Sequence, residues 1–115
     1  MLRKMCKSKI HNAVVTEATV KYGGSIKIDS SLMKKADLLA NEMVLVVNLR
    51  NAARFETYVI PAPAGSGTIG LQGGAALLGR KGDRLIIMSG CFLNDREARN
   101  HKPKYIYLGK GNRAI

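Results

Sequence analysis

Two adjacent glycines and a hydroxyl residue interrupt an apolar, β-branched stretch that reads VKYGGSIKIDS over residues 20–30. A glycine has no Cβ to shield its carbonyl group, so the hydroxyl of the following residue can approach it. Backbone strain that the fold holds in place raises the reactivity of such a bond. Gly24 and Ser25 are therefore a candidate site of autocatalytic cleavage. The plain alternative is a glycine bulge or turn that the serine caps.

The segment RFETY, residues 54–58, carries a second set of polar side chains. Alternate residues of a strand point to opposite faces, which places Arg54 and Tyr58 on one face and Thr57 on the other. A guanidinium binds a carboxylate through two parallel hydrogen bonds, and a phenol keeps its proton at neutral pH and can donate it. We interpret Arg54 and Tyr58 as candidate site residues. A surface arginine and a half-buried tyrosine are the alternatives.

Two further segments carry candidate binding groups. Lys9 and His11 share a face of the first strand through their i, i+2 spacing, although an exposed lysine and a structural histidine would show the same pattern. The glycine-rich stretch QGGAA, residues 72–76, precedes a helical turn. Its backbone N–H groups can bind a carboxylate, and a plain turn is the alternative.

The hydrophobic periodicity predicts short strands joined by turns and short helices. The expected strands cover residues 9–22 with an extended continuation at 25–28, then 42–50, 54–60, 68–72, 83–90 and 104–109. The expected helices cover residues 31–39, capped by Asp29 or Ser30, then 74–79, and 94–100 with Asn94 as the cap. Helices this short cannot cover a parallel sheet, so we expect the strands to close into a small barrel.

Composition limits the class of protein and its partners. A chain of 115 residues with 46% hydrophobic and only 5% aromatic residues indicates one domain with an aliphatic core. A net charge of +11 favours an anionic partner, which can be a nucleic acid, a membrane surface or an acidic metabolite. Cys6 and Cys91 lack metal-binding spacing, and no stretch has the length of a membrane span. We expect no metal, reduced thiols and a cytoplasmic location.

The segments KSKIHNAVVTEATVKYGGSIKID, RFETYVI, and GGAA followed by GD occur in an order and spacing that resemble the pyruvoyl-dependent aspartate decarboxylases. The resemblance covers nearly the whole chain. It implies a mainly β fold, a six-stranded double-psi β-barrel with short helices, as a single domain over residues 1–115. It also implies a homotetramer with sites between subunits, and it leaves open whether a maturation factor is needed.

The same resemblance implies a function for the glycine–serine pair. The Ser25 hydroxyl would cleave the bond after Gly24, giving chains of residues 1–24 and 25–115. Ser25 would become a covalent pyruvoyl group, the cofactor that decarboxylates L-aspartate to β-alanine for pantothenate and coenzyme A biosynthesis. The site residues carried over are catalytic Ser25 and Tyr58, cleavage residues Gly24 and Ser25, and substrate-binding Lys9, His11, Arg54, Thr57, Gln72, Gly73, Gly74 and Ala75.

The resemblance leads to three expectations that depend on how the side chains are arranged in space. Strand alternation turns Thr57 away from Tyr58, which a bulge or a site shared between subunits would reconcile. Lys9 and His11 are expected as two cations for a dicarboxylate substrate. Asparagine is usual in the family where Gln72 stands, alanine where Gly74 stands and a larger residue where Gly23 stands, so the speed of processing is in question.

The net charge supports a different class of function, a small basic β-barrel that binds nucleic acid through its lysines and arginines. Only two Phe and four Tyr are available to stack on bases, which disfavours this alternative.

Overall fold

The computed structural model describes residues 1–115 and is mainly β. Its elements in chain order are β1 Leu2–Val14, β2 Glu17–Thr19, β3 Ser25–Asp29, α1 Ser30–Lys35, β4 Met43–Asn48, β5 Arg54–Ala62, β6 Ile69–Gln72, a 3-10 turn Gly73–Leu77, β7 Arg84–Asn94, α2 Asp95–Arg99, β8 Lys104–Tyr107 and a second 3-10 turn Lys110–Asn112.

The eight strands form one sheet in the order β2-β6-β3-β5-β4-β7-β1-β8. Only Val15 and Thr16 separate β1 from β2, yet β2 lies at one edge of the sheet and β1 next to the other edge. The sheet must therefore curl back on itself. The Val15 amide donates to the Asp83 carbonyl at 2.9 Å and the Thr16 amide to the Ile69 carbonyl at 2.8 Å, which ties the two sides together.

The edge strands β2 and β8 are only three and four residues long, and six strands lie between them. The sheet is mixed: β2–β6, β3–β5 and β1–β8 are parallel pairs, and the other four pairs are antiparallel. This is the six-stranded double-psi barrel with short helices that the resemblance implies, with two short edge strands added. Its core contains eighteen buried hydrophobic residues and no buried aromatic ring, as the composition predicts.

Several strand boundaries differ from the sequence-based prediction. The first strand begins at Leu2 rather than near residue 9, because its amino-terminal half pairs with an equally extended β7, from Leu2 opposite Asn94 onward. It also breaks at residues 15 and 16, where the backbone bonds to two other segments. β5 continues past its predicted end through Pro61, which lies opposite Ile28 of β3.

Both predicted helix caps are confirmed. Asp29 caps α1, with its Oδ1 accepting from the Ser31 amide at 2.8 Å. Asn94 and Glu97 form a reciprocal capping box at the start of α2, with bonds of 2.9 and 3.0 Å. α1 ends at Lys35, earlier than predicted, because the chain turns into the left-handed region at Asp37, whose φ is 57°.

Candidate active site

Ser25 begins β3 and is fully buried, with 0% of its surface exposed. It lies opposite Gln72, the last residue of β6, across the antiparallel pair of strands. The Ser25 Oγ donates a hydrogen bond of 2.8 Å to Gln72 Oε1. The position where the family usually has asparagine therefore contacts the candidate nucleophile directly through a longer amide.

Gly73 follows Gln72 and lies against the segment before Ser25. Its φ of +63° is left-handed, and a Cβ at this position would come within 2.4 Å of the Tyr22 carbonyl oxygen, 2.6 Å of the Gly24 nitrogen and 2.8 Å of the Gly23 carbonyl carbon. Glycine is therefore required here both by conformation and by space. The sequence pattern predicted a glycine turn but could not show which backbone it meets.

Tyr58 lies next to position 25 on the neighbouring strand. β3 runs parallel to β5 with Ile26 opposite Val59, so one residue earlier the pair is Ser25 and Tyr58. Side chains of paired residues point to the same face of a sheet. Tyr58 is half-buried, so part of its side chain is accessible to a substrate that enters from solvent.

Thr57 points to the barrel interior and is 8% exposed. The β4–β5 register is continuous from Met43 opposite Tyr58 to Val47 opposite Arg54, so no bulge turns Thr57 outward. The bulge is therefore the wrong explanation for its role in the family. Its position in β5, next to Tyr58, still places it near the start of β3.

Arg54 shares a face with Tyr58, as predicted, but lies four residues away at the beginning of β5. Four residues of extended chain span about 13 Å. Arg54 is exposed, and no partner for its side chain occurs among the ion pairs of the chain. The guanidinium is thus free to bind an anion, although at a distance from Ser25 of the same copy.

Lys9 and His11 lie on β1, which is separated from β5 by β7 and β4 in the sheet. Lys9 in β1 is opposite Met88 of β7, which in turn is opposite Leu45 of β4. Three strand spacings of about 4.8 Å separate β1 from β5 along the sheet, or about 14 Å. Within one copy, strand pairing, a hydrogen bond and close backbone contact link the cleavage residues to Tyr58, Gln72 and Gly73, and none of these links includes Lys9, His11 or Arg54.

His11 packs against two aromatic rings in surroundings that disfavour its charged form. Its ring stacks on Tyr107 with a centroid distance of 4.6 Å and meets Tyr105 edge-on at 6.2 Å. Its Nε2 is buried without a hydrogen-bond partner. Burial, with the nearby Lys9 charge, lowers the pKa of His11 below its ordinary value. The lowered pKa favours a neutral imidazole at this position over the second cation that the sequence predicts.

The remaining candidates, Gly74 and Ala75, belong to the 3-10 turn that begins at Gly73. Gly74 is exposed, and a Cβ there would meet no atom within 4 Å. Ala75 is 6% exposed and packs in the core, which anchors the turn. An open groove of ≈ 830 Å³ beside them is lined by residues 17–22, Lys27, Leu71 and Gln72.

No group of three or more His, Cys, Asp or Glu side chains is arranged to hold a metal ion. None of the helices is both long and apolar enough to cross a membrane. Cys6 and Cys91 are free thiols, as expected.

Comparison with known proteins identifies the family. The sequence profile of the family described as aspartate decarboxylase matches residues 1–115. A protein of Heliobacterium modesticaldum named aspartate 1-decarboxylase is 55% identical over all of this chain and 87% of its own length. Similar proteins with that name are 50% identical in Thermoanaerobacter pseudethanolicus, over all of this chain and 98% of the relative, and 52% identical in Syntrophomonas wolfei, over 97% and 95%. This chain belongs to the aspartate decarboxylase family.

Proposed function

We propose that this protein decarboxylates L-aspartate to β-alanine and CO₂, as a step toward pantothenate and coenzyme A, after cleaving its own backbone between Gly24 and Ser25. One observation carries the proposal. In a chain that matches the family over its whole length, the buried Ser25 hydroxyl is held at 2.8 Å by Gln72, next to an exposed Gly24.

The cleavage is an internal acyl transfer. Ser25 Oγ attacks the Gly24 carbonyl carbon, the C–N bond breaks, and an ester replaces the peptide bond while the Ser25 nitrogen takes up a proton. Loss of the Ser25 α-proton then expels the Gly24 carboxylate from Cβ. Water adds to the resulting dehydroalanine and ammonia leaves, so that residues 25–115 begin with a pyruvoyl group and residues 1–24 end at Gly24.

Position 25 fits such a group. It is closed to solvent, it has one hydrogen-bonding neighbour in Gln72, and Tyr58 lies opposite it on β5. A pyruvoyl group supplies a ketone that binds the substrate amine and a conjugated carbonyl that stabilises negative charge as CO₂ leaves. Tyr58 donates a proton to the substrate α-carbon, and the backbone N–H groups of residues 73–75 bind a substrate carboxylate.

Lys9, His11 and Arg54 complete the site from a neighbouring copy in a homotetramer. Their positions support this arrangement, because no hydrogen bond or strand pair within one copy links any of the three side chains to Ser25. An apolar surface is available for the contact. Met43 and Phe92 are 54% and 66% exposed and line one groove with Leu45 and Met88.

Substrate attraction accounts for the high positive charge. The net charge of +11 raises the local concentration of a dianion such as L-aspartate. The anionic partner in this proposal is the substrate, not a nucleic acid or a membrane surface. Because both cysteines are free thiols, the protein suits the reducing cytoplasm.

Denaturing mass spectrometry of the purified protein tests the proposed function. We expect two chains, residues 1–24 and residues 25–115, with the second lighter by one ammonia than a chain that begins with serine. β-Alanine formation from L-aspartate should rise with the cut fraction. A single uncut chain after prolonged warming, with no β-alanine formed, would disprove the proposal.

Mixed oligomers test whether the site is shared. Arg54→Ala should lower kcat/KM for L-aspartate by about 10²- to 10³-fold, because a substrate carboxylate is left unpaired. Tyr58→Phe should lower kcat. When both variants are co-expressed, activity should recover in part, since some sites then receive native Arg54 and native Tyr58 from different copies. No recovery would place both residues in one chain or outside the site.

A further inference from the structure

The loop before the cleavage site, residues 20–24, makes few contacts of its own. None of the backbone hydrogen bonds in turns and loops involves residues 20–24. Gly23 and Gly24 are exposed, and Cβ atoms built on them would meet nothing within 4 Å. The position of the Gly24 carbonyl therefore depends on the surface on which this loop rests.

The loop rests on the backbone of Gly73. The three atoms nearest to its missing Cβ all belong to the backbone of residues 22–24, at 2.4, 2.6 and 2.8 Å. Real Cβ atoms do not approach other atoms below 3.0 Å, and backbone atoms cannot move aside as the end of a flexible side chain can. Any residue other than glycine at position 73 must push the loop away.

Consecutive residues thus contact the two reacting groups. Gln72 binds the Ser25 hydroxyl, which is the nucleophile, at 2.8 Å, and Gly73 packs against the segment that ends in the Gly24 carbonyl, which is the electrophile. Proximity and orientation of reacting groups contribute strongly to the rate of intramolecular reactions.

We propose that Gly73 is a positioning residue for backbone cleavage, in which its left-handed backbone without a Cβ seats residues 22–24 so that the Gly24 carbonyl lies within reach of Ser25 Oγ. This role rests on the proposed function. Gly73 acts in this role during cleavage, before the turn of residues 73–75 binds substrate.

The test compares cleavage rates of freshly purified, uncut protein by denaturing mass spectrometry. Gly73→Ala should cleave at least about ten-fold more slowly than the wild type, given the cost of a left-handed alanine and the displaced loop. Gly82→Ala is the matched control, because its φ of +93° is also left-handed but a Cβ there would meet no atom within 4 Å, and it should cleave at the wild-type rate.

Hydroxylamine separates attack from later steps, because it cuts esters and the chain contains no Asn-Gly bond that it would also cut. Gly73→Ala should resist it, since the ester does not form. Gly73→Asn tolerates the left-handed backbone but keeps a Cβ, and it should also cleave slowly. Circular dichroism and thermal unfolding establish that each variant is folded.

Each outcome decides the proposal. Slow cleavage of a folded position-73 variant that resists hydroxylamine supports it. Cleavage at the wild-type rate, accumulation of an ester that hydroxylamine cuts, or failure of both variants to fold would overturn it. An uncut wild type would instead contradict the proposed function, so the two failures are distinguishable.

Discussion

The two ends of β3 differ in how their buried polar groups are bonded. Ser25 at one end and Asp29 at the other are 0% and 3% exposed. The Asp29 carboxylate accepts four hydrogen bonds, from Ser31 N at 2.8 Å, Ser31 Oγ at 2.7 Å, Gly65 N at 3.0 Å and Gly67 N at 2.9 Å. The Ser25 hydroxyl makes one, to Gln72.

This difference separates a structural end of the strand from a reactive one. Burial raises the pKa of Asp29, but the hydrogen bonds from Ser31, Gly67 and Gly65 outweigh it, so the pKa lies below its ordinary value and the carboxylate stays charged. A fully bonded group holds the loop between β5 and β6 and the start of α1 in place. A hydroxyl with one bond, beside a loop without hydrogen bonds, keeps the freedom to attack its neighbour.

The largest effect should come from removing the reactive group. Ser25→Ala lacks the hydroxyl that both attacks and leaves, so we expect a folded, uncut chain that forms no β-alanine. Intact mass and an assay for β-alanine measure both outcomes. Ser30→Ala, just beyond the opposite end of the strand, is the control and should be cut normally. Any β-alanine from Ser25→Ala would contradict the mechanism.

Breaking the structural end should affect stability instead. Asp29→Ala removes the cap of α1 and leaves the buried Gly67 amide unpaired, and it should lower the free energy of unfolding by about 2–4 kcal/mol. Urea denaturation measures this change. Asp95→Ala, which breaks a half-exposed ion pair with Arg3, should cost less than about 1 kcal/mol. A smaller loss for Asp29→Ala than for Asp95→Ala would remove the contrast between the strand ends.

Acid should lower the stability that Asp29 contributes at its end of β3. The Ser25 end has no titrating side chain and should not add to this pH dependence. The folded-state pKa of Asp29 lies below that of the unfolded chain, so its contribution to stability is complete above about pH 4 and is lost as the pH falls below that value. Asp83 should also lose its contribution to stability in acid, because the hydrogen bond from Arg50 lowers the pKa of Asp83 despite its burial. Thermal unfolding between pH 3 and 6 should show a smaller acid-dependent decrease for Asp29→Asn; an unchanged pH profile would contradict this assignment.

The smallest effect should follow from removing the single bond to Ser25. Gln72→Leu keeps the side-chain bulk but removes the acceptor, and a neutral hydrogen bond of about 1 kcal/mol predicts cleavage slower by about 3- to 10-fold. Gln72→Asn, the residue usual in the family, keeps an acceptor and should lie closer to the wild type. Time courses of intact mass measure both. Faster cleavage of Gln72→Leu would mean that the bond restrains the serine.

Much of the fold was predictable because its signals are local. Alternation placed Arg54 and Tyr58 on one face, and the cap residues Asp29 and Asn94 were confirmed. The break at Val15 and Thr16 was not predictable, because the bonds that cause it come from Asp83 and Ile69, more than fifty residues away. Local propensity carries no information about such partners.

For the candidate site, the sequence alone determined the chemistry: a hydroxyl after an unshielded glycine carbonyl, an arginine and a tyrosine on one strand, and a glycine-rich turn. Only the tertiary structure decided which of these groups meet. It placed Gln72 on the Ser25 hydroxyl and Gly73 on the preceding loop, and it made no such contact for Arg54 or Lys9. The physical reason is that reactivity depends on residue type, whereas contact depends on strand pairing between distant parts of the chain.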